Sequence, residues 1–219
     1  MKLKNQQIEE YLKEGAAELG IERNTAQIAQ YGTYIAELKK WSKRMNLTSL
    51  TGDKDIIVRH FLDSLIPLPY MNGIETLLDI GTGAGFPGLV LKIARPELRL
   101  TLLEPTGKKT HFLRHVVRTL GLEGVDIING RAEDPAIIEK KAHTFDCVTS
   151  RALSELSVFF EMARPYLKEG GRIVAMKGPL DGKLDAELDK VAGTRPVVEE
   201  VCIPFSDRKT SIVVFYPSF

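Results

Sequence analysis

Two cysteines in 219 residues, with no C-x-x-C spacing, leave neither a disulfide framework nor a cysteine metal site to organise this chain. Cys147 and Cys202 both fall in apolar, strand-like segments and are read as small buried hydrophobes. No apolar run reaches the roughly 18 residues that would span a bilayer, and the opening MKLKNQQIEEYLKEG is charged throughout, without the apolar stretch of a signal peptide. A cytoplasmic protein with no membrane partner is therefore expected. Net charge is scarce too. Thirty basic residues against 29 acidic ones leave +1, short of the basic balance, a pI above about 9, that marks many nucleic-acid binders, so any such footprint must be local. The chain also lacks repeats and low-complexity segments. A hydrophobic content of 43% suits an ordinary core, and the length exceeds the common domain size of about 100–150 residues without reaching two. One domain plus an extension is expected.

Two styles of sequence divide the chain near residue 70. Over residues 1–70 the apolar positions recur at helical spacing, with Ile8, Leu12, Ala16 and Leu19 on one face and Ile28, Tyr31, Ile35, Leu38 and Met45 on another; Asn24 and Gln27 are spaced as a capping box. Over residues 71–219 short β-rich runs (TLLDI, LTLLE, VDIIN, FDCVTS, GRIVAMK) alternate with helical ones, which implies βαβ units and a doubly wound parallel sheet. The last two runs, VVEEVCIPF and TSIVVFYP, are joined by too few residues for a crossover. The final strand must return antiparallel, giving an α/β fold with a mostly parallel seven-stranded sheet and a helical extension packed on it. Ligands of such sheets bind beyond the carboxyl ends of the strands, where the strand order reverses.

The first of those ends carries LLDIGTGAGFPG, Leu77 to Gly88. Gly81, Gly83 and Gly85 let the backbone turn tightly and lie close to a ligand, and Pro87 suits the first turn of the next helix. Glu104, about 20 positions on at the end of LTLLE, is placed to accept hydrogen bonds from ribose hydroxyls. Gly83, Gly85 and Gly88 also fit the dinucleotide pattern G-x-G-x-x-G, but Asp79 argues against it. A carboxylate there would face a doubly negative pyrophosphate. S-adenosyl-L-methionine has no phosphate and brings a sulfonium and an ammonium instead; the D-x-G-x-G-x-G form resembles the first motif of class I methyltransferases, whose Rossmann-like topology is the one described above.

The remaining strand tips supply further contacts. After the third strand stand Asn129 to Asp134, with Ala132 and Glu133 as candidates to meet adenine; after the fourth come Ser150, Arg151 and Ala152. There is no Asn/Asp-Pro-Pro-Tyr type motif for an exocyclic amine, and Cys147 lies inside its strand rather than at the tip, so a thiolate adduct on a pyrimidine is disfavoured. Attack by an aromatic ring nitrogen removes no proton in the transition state, so alignment alone can supply catalysis. Guanine N7 and adenine N1 both qualify. No catalytic base, nucleophile or metal is expected.

Three stretches together, WSKRMNLTSLTGDKDIIVRHFLDSL (Trp41 to Leu65), LDIGTGAGFPGLVLKIARPELRLTLLEPTGKK (Leu78 to Lys109) and VTSRAL (Val148 to Leu153), resemble the bacterial 16S ribosomal RNA small-subunit guanine-N7 methyltransferases, once called glucose-inhibited division protein B. That resemblance implies transfer of a methyl group from S-adenosyl-L-methionine to a guanine in the decoding-region loop of 16S rRNA. Carried over by position, it implies cofactor contacts at Gly81, Phe86, Glu104, Pro105, Thr106, Ala132, Glu133 and Arg151, beside Asp79, Gly83 and Gly85. The expected partner is 16S rRNA, the small ribosomal subunit or its assembly intermediate, and the expected state is a monomer. Local basic clusters offer the RNA footprint: Lys39, Lys40, Lys43 and Arg44 around Trp41, and Lys108, Lys109, Arg114, His115 and Arg118 after Glu104, with Lys177 at the fifth strand tip. Arg151 can face the methionine carboxylate or an RNA phosphate. His60 and His111 read as packing or surface residues. A methyltransferase of another RNA or a small molecule, and a non-catalytic RNA-binding factor, are the competing readings, the second opposed by the intact Asp79, glycines and Glu104.

Overall fold

A computed structural model describes residues 3–151, 155–191 and 196–217. Helix α1 (Asn5–Glu18) buries Ile8, Leu12 and Ala16, as their spacing requires, and α2 (Thr25–Ser42) buries Ile28, Tyr31, Tyr34, Ile35 and Leu38. The expected capping box starts α2: Gln27 N donates to Asn24 Oδ1 at 2.9 Å and Asn24 N to Gln27 Oε1 at 3.2 Å. Met45 falls beyond the end of α2. A second helical stretch follows, α3 (Asp53–Ile56), a π-helical segment (Ile57–Leu62) and α4 (Asp63–Leu65). Within it Ile57, Val58, Phe61 and Leu62 turn inward, while Arg59 and His60 are left outside the core.

The sheet strands are β1 (Thr76–Ile80), β2 (Arg99–Glu104), β3 (Val125–Asn129), β4 (Phe145–Arg151), β5 (Leu167–Lys177), β6 (Val197–Cys202) and β7 (Lys209–Phe215), in the order β3-β2-β1-β4-β5-β7-β6. Strands β1 to β5 are parallel; β7 runs antiparallel to both β5 and β6. This is the expected mostly parallel seven-stranded arrangement. Its helices are α5 (Gly88–Ala94), α6 (Gly107–Thr119), α7 (Pro135–Lys141), α8 (Leu156–Ala163) and α9 (Gly182–Leu188). The order reverses between β1 and β4, so the crevice predicted for ligands opens beyond those two strands. The β6–β7 connection is longer than the sequence suggests, spanning residues 203–208, because Ile203 N pairs back to Arg208 O at 2.8 Å to close the hairpin. Cys147 is buried. Cys202 corrects the sequence reading: it is exposed, because β6 is the outermost strand.

The N-terminal helices share a hydrophobic cluster with the sheet, running from Ile8 and Leu12 through Leu89 and Leu102 to Val214. They also finish α5. A helix leaves its last carbonyls without intrahelical donors, and here α2 and the turn before it supply them. Gln27 Nε2 donates to Ile93 O at 2.9 Å and Ala94 O at 3.1 Å, Tyr31 Oη to Val90 O at 3.0 Å, and Arg23 Nη1 to Ala94 O at 2.8 Å. The helix that follows the glycine loop is thus held from outside the α/β unit. Its start is just as tight: a Cβ on Gly88 would stand 2.7 Å from both Asp79 Oδ2 and Leu102 Cδ2. Gly88→Ala should therefore cost about 1–3 kcal/mol and lower the thermal midpoint by about 2–4 °C for each of them. Gly182→Ala, with no neighbour within 4 Å of the added carbon, should stay within about 0.5 kcal/mol, and equal losses from the two would contradict the packing argument.

Candidate active site

Asp79, next to last in β1, is completely buried. Its Oδ2 accepts from Thr82 Oγ1 at 2.6 Å and from Gly88 N at 2.8 Å, fastening the loop to the start of α5. Its Oδ1 is buried with no hydrogen-bond partner. Burial raises the Asp79 pKa to about 7, against the pull of those two hydrogen bonds and of Arg151, and the charge of Glu104 adds to the rise.

Gly81, Gly83 and Gly85 all adopt positive φ, +67°, +61° and +99°, the left-handed region that other residues avoid. At Gly85 a side chain would also collide with the Tyr34 hydroxyl and Leu89. At Gly83 the space is open: the nearest atom to an added Cβ, the Gly81 carbonyl oxygen, is 4.0 Å away. A ligand can approach the backbone there. Glu104 lies alongside, Oε2 accepting from Gly83 N at 2.9 Å and Oε1 from Thr106 N at 3.0 Å, with Lys109 Nζ 3.8 Å from Oε1. Each carboxylate oxygen keeps a lone pair for a further donor. Asn129 Nδ2 donates to the carbonyls of Glu104 and Pro105, so the third strand tip fixes the second. Pro105 and Thr106 are exposed. Ala132 is buried, its carbonyl accepting from Tyr166 Oη at 2.6 Å, and Glu133 beside it faces solvent.

Phe86 ends the loop inside an aromatic stack. Tyr34 lies parallel to one side of it at 5.3 Å, His60 within 14° of parallel at 4.8 Å, and Phe61 meets it edge-on at 5.4 Å. The Tyr34 hydroxyl bonds the Ala84 carbonyl. Arg151, the last residue of β4, holds its guanidinium carbon 5.0 Å from the Phe86 ring centre and donates to Arg59 O (3.0 Å), Asp63 Oδ2 (3.2 Å) and His60 Nδ1 (3.1 Å). Asp63 Oδ1 accepts from Thr210 Oγ1 at 2.5 Å. Burial pushes the Asp63 pKa up, against the Arg151 charge and these hydrogen bonds. His60 is pushed the other way, to about 3, by burial and by the charges of Arg151 and Arg59, so its ring is neutral. The sequence alone marks His60 as packing and does not single out Asp63 or Thr48; the N-L-T element and the R-H-F-L-D-S run carry the only signal. Ala152 and Leu153, the rest of the V-T-S-R-A-L motif, lie outside the described residues.

A cleft of about 790 Å³ opens over the ends of β4 and β5. Thr48, Arg59, His60, Asp63, Arg151 and Lys177 line it, and residues 207–210 of the hairpin close the far side. Of the residues expected to meet the cofactor only Arg151 lines it, and Arg151 joins it to the glycine loop through the Phe86 ring. Lys177 does not stand free, since its Nζ is 2.8 Å from Glu187 Oε2. Lys40, Lys43 and Arg44 are exposed at and beyond the end of α2, as is Lys108 on α6; Lys109 is half-buried against Glu104. Trp41 is half-buried, its ring packed on Phe112 at 5.7 Å and His115 at 5.0 Å, and His115 Nε2 lies 2.6 Å from Glu37 Oε2. The two basic clusters therefore sit on neighbouring helices. Burial holds the Cys147 thiol in its neutral form, and its place in register with Leu77 puts it well inside the sheet. Among the described residues no His, Cys, Asp and Glu cluster could hold a metal ion, and no helix is long and apolar enough to cross a membrane.

A raised Asp79 pKa has a consequence for stability. Between the unfolded value of 3.8 and the folded value of about 7 the folded chain holds a proton that the unfolded chain has released, so stability falls as pH rises through that window and levels off above it. Asp79→Asn should flatten this limb and stabilise the ligand-free protein at pH 8 relative to the parent, as read by denaturant midpoints at pH 5 and 8. A parent whose stability rises over the same interval by as much as the variant's would rule out the buried-acid reading.

Similarity to known proteins agrees with the geometry. The family model of rRNA small subunit methyltransferase G matches residues 27–209. The ribosomal RNA small subunit methyltransferase G of Desulfotalea psychrophila is 44% identical over 209 residues, covering 93% of this chain and 95% of that protein. Its counterpart from Geobacter sp. strain M21 is 40% identical over 214 residues, with 95% and 97% covered. Among solved structures, a methyltransferase from Geobacter sulfurreducens superposes with a TM-score of 0.56 over 84% of this chain and 87% of its own at 14% identity. Aeropyrum pernix fibrillarin with natively bound S-adenosyl-L-methionine gives 0.53, at 17% identity and 64% and 66% coverage. At such identities these two speak for the Rossmann-like methyltransferase fold alone. Match length and identity to the curated relatives together show that this chain belongs to the rRNA small subunit methyltransferase G family.

Proposed function

We propose that this chain is the S-adenosyl-L-methionine-dependent enzyme that methylates N7 of a guanine in the decoding-region loop of 16S rRNA, by direct in-line attack without a covalent enzyme intermediate. The observation that carries the cofactor assignment is the unpartnered, buried Asp79 Oδ1 beside three positive-φ glycines and Glu104. Two carboxylates at this loop repel a pyrophosphate and attract a sulfonium and an ammonium. When bound, S-adenosyl-L-methionine supplies an electrophilic methyl group. Glu104 accepts from the ribose hydroxyls with the lone pairs left by Gly83 and Thr106, Asp79 balances positive charge, and Gly81, Gly83, Gly85 and Phe86 form the floor. Pro105, Thr106, Ala132 and Glu133 flank the adenosine, and Arg151 stands between cofactor and acceptor.

The cleft over β4 and β5 is the acceptor side. Its half-buried, neutral histidine and its ion-paired lysine offer no strong base, and a guanine N7 needs none because its attacking lone pair carries no proton. The boundary near residue 70 separates a docking extension, residues 1–70, from the catalytic domain, residues 71–219. Lys40, Lys43 and Arg44 neutralise RNA phosphate together with Lys108 and Lys109 on the neighbouring helix, while Lys177 acts through its ion pair with Glu187. The enzyme so proposed is a cytoplasmic monomer acting on the small subunit or its assembly intermediate.

Glu104→Ala removes an acceptor worth about 1.5–3 kcal/mol for each charge-assisted bond and should weaken S-adenosyl-L-methionine tenfold or more in calorimetric titration; tight NADH binding without any S-adenosyl-L-methionine affinity would refute the cofactor assignment. Small subunits treated with enzyme should gain 7-methylguanosine, detected by strand scission after borohydride and aniline. Changing Lys40, Lys43 and Arg44 to glutamate should leave cofactor affinity nearly unchanged but weaken RNA binding and reduce the slope of log affinity against log salt by about 0.7–0.9 for each phosphate no longer neutralised. Unchanged methylation rate and salt dependence would make that cluster a solvated face.

A further inference from the structure

Thr48 lies on the loop between α2 and α3 and lines the acceptor cleft, half-buried. Its hydroxyl oxygen is 2.7 Å from His60 Nε2 and accepts from Leu50 N at 3.1 Å. The direction of the first bond follows from the other side of the ring. Arg151 has only donors, so the 3.1 Å contact of its Nη2 with His60 Nδ1 is a hydrogen bond when that nitrogen presents its lone pair, against the pull of the Arg59 backbone carbonyl on the same ring. Burial and the charges of Arg151 and Arg59 keep the ring from taking a second proton near neutral pH. The single proton therefore sits on Nε2 and is donated to Thr48. With Leu50 N also donating, both acceptor positions of the hydroxyl are spent, and its own hydrogen remains. No described residue is in place to receive it. The arginine thus turns a group that can normally give or take a hydrogen bond into an obligate donor facing the cleft.

We propose that Thr48 is a specificity-determining residue, donating its hydroxyl hydrogen to the O6 carbonyl of the guanine that is methylated, with His60 as the positioning residue that enforces the donor role. This rests on the guanine-N7 reading above. The chemistry of the base favours a hydroxyl here. On the exposed edge of guanine O6 and N7 are adjacent acceptors, and an arginine or lysine, their common partner, covers both. Such a cation would block the reacting nitrogen and repel the positive charge the ring acquires on methylation. A neutral single donor holds O6 and leaves N7 free. Adenine carries an amino group in place of O6, so its donor would meet a donor, and sites that leave polar groups unpaired discriminate strongly.

The test uses small subunits reconstituted with guanosine or with 2-aminopurine riboside, which keeps N7 but carries hydrogen in place of O6, at the position mapped by strand scission. The unaltered chain should prefer guanosine by about tenfold or more in kcat/KM, the size of one missing hydrogen bond with its partner left unpaired. Thr48→Val should abolish the preference by slowing guanosine alone, with parent-like S-adenosyl-L-methionine affinity and a thermal midpoint lowered by the loss of an acceptor for Leu50 N and His60 Nε2, and Thr48→Ser should keep the preference with a parent-like midpoint. In parallel, the ¹⁵N shifts of the His60 ring should report a neutral Nε2–H tautomer from pH 5 to 8, a signature that packing alone does not demand. Equal slowing of both substrates by Thr48→Val, a preference that survives it, or an Nδ1–H or doubly protonated His60 in that range would each overturn the proposal. If instead the unaltered chain forms no 7-methylguanosine on guanosine-containing subunits, the fault lies with the guanine-N7 reading, and the proposal falls with it.

Discussion

The buried pair between Arg151 and Asp63 is the constraint on which the site's geometry depends. The arginine closes β4, the aspartate belongs to the helical stretch before the sheet, and the other oxygen of the aspartate binds Thr210 in β7. Three pieces far apart in sequence are thereby locked to one point at the carboxyl ends of the strands. Pairs of this sort contribute little net stability, because the desolvation of both ions offsets their attraction. What they impose is position: leaving either charge unpaired in this setting is costly, so alternative placements of the N-terminal helices are disfavoured. The upward push on the Asp63 pKa shows how strongly burial acts on the pair, and Arg151 is the charge that opposes it.

From that point the aromatic column follows. Arg151 lies against Phe86, His60 stacks on the same ring, and Tyr34 stacks parallel to it while bonding the Ala84 carbonyl. The glycine loop gains no rigidity from its own side chains and has three residues at positive φ, so an external wall has to fix its shape. Residues of the first 70 positions provide that wall, as they also provide the donors for the end of α5. The extension is part of the structural frame of the loop, whatever it does for RNA.

Legibility in the sequence tracks the range of the interactions. The alternation of strands and helices, the short link before β7, the capping box at Asn24 and the glycine loop with Asp79 and Glu104 are local patterns, governed by periodicity, backbone freedom and spacing, and each can be read directly. The Arg151 network cannot. Its partners Arg59, His60, Asp63 and Ser64 lie about ninety positions away, and Thr210 is 147 positions from the Asp63 it binds, so no spacing rule joins them. His60 reads as packing because a lone histidine in an apolar run usually is; only the fold shows that its two nitrogens face a fixed donor and a hydroxyl. Trp41 shows the converse. Its basic surroundings suggest an exposed stacking face, whereas the half-buried ring is spent on Phe112 and His115, and the cations are the more exposed groups. Cys202 escapes burial because an apolar strand pattern does not reveal which strand will be outermost.

The distribution of charge explains how a chain with a net charge of only +1 can serve the proposed reaction. Its carboxylates are concentrated where positive charge would arrive: Asp79 and Glu104 at the loop, Asp63 at the cleft, each buried and fixed by hydrogen bonds. Among its exposed cations, Lys40, Lys43 and Arg44 at the end of α2 and Lys108, Arg114 and Arg118 on α6 form the group where the proposed reaction would meet phosphate. In methyl transfer to a ring nitrogen the positive charge leaves the donor side and reappears on the base, one strand along the sheet from β1 to β4. A site with a single strong anion at the loop would hold that charge back. On the acceptor side Asp63 is paired with Arg151, so positive charge arriving on the base would meet a balanced pair and not a free cation, and alignment is what the proposed reaction asks of the site.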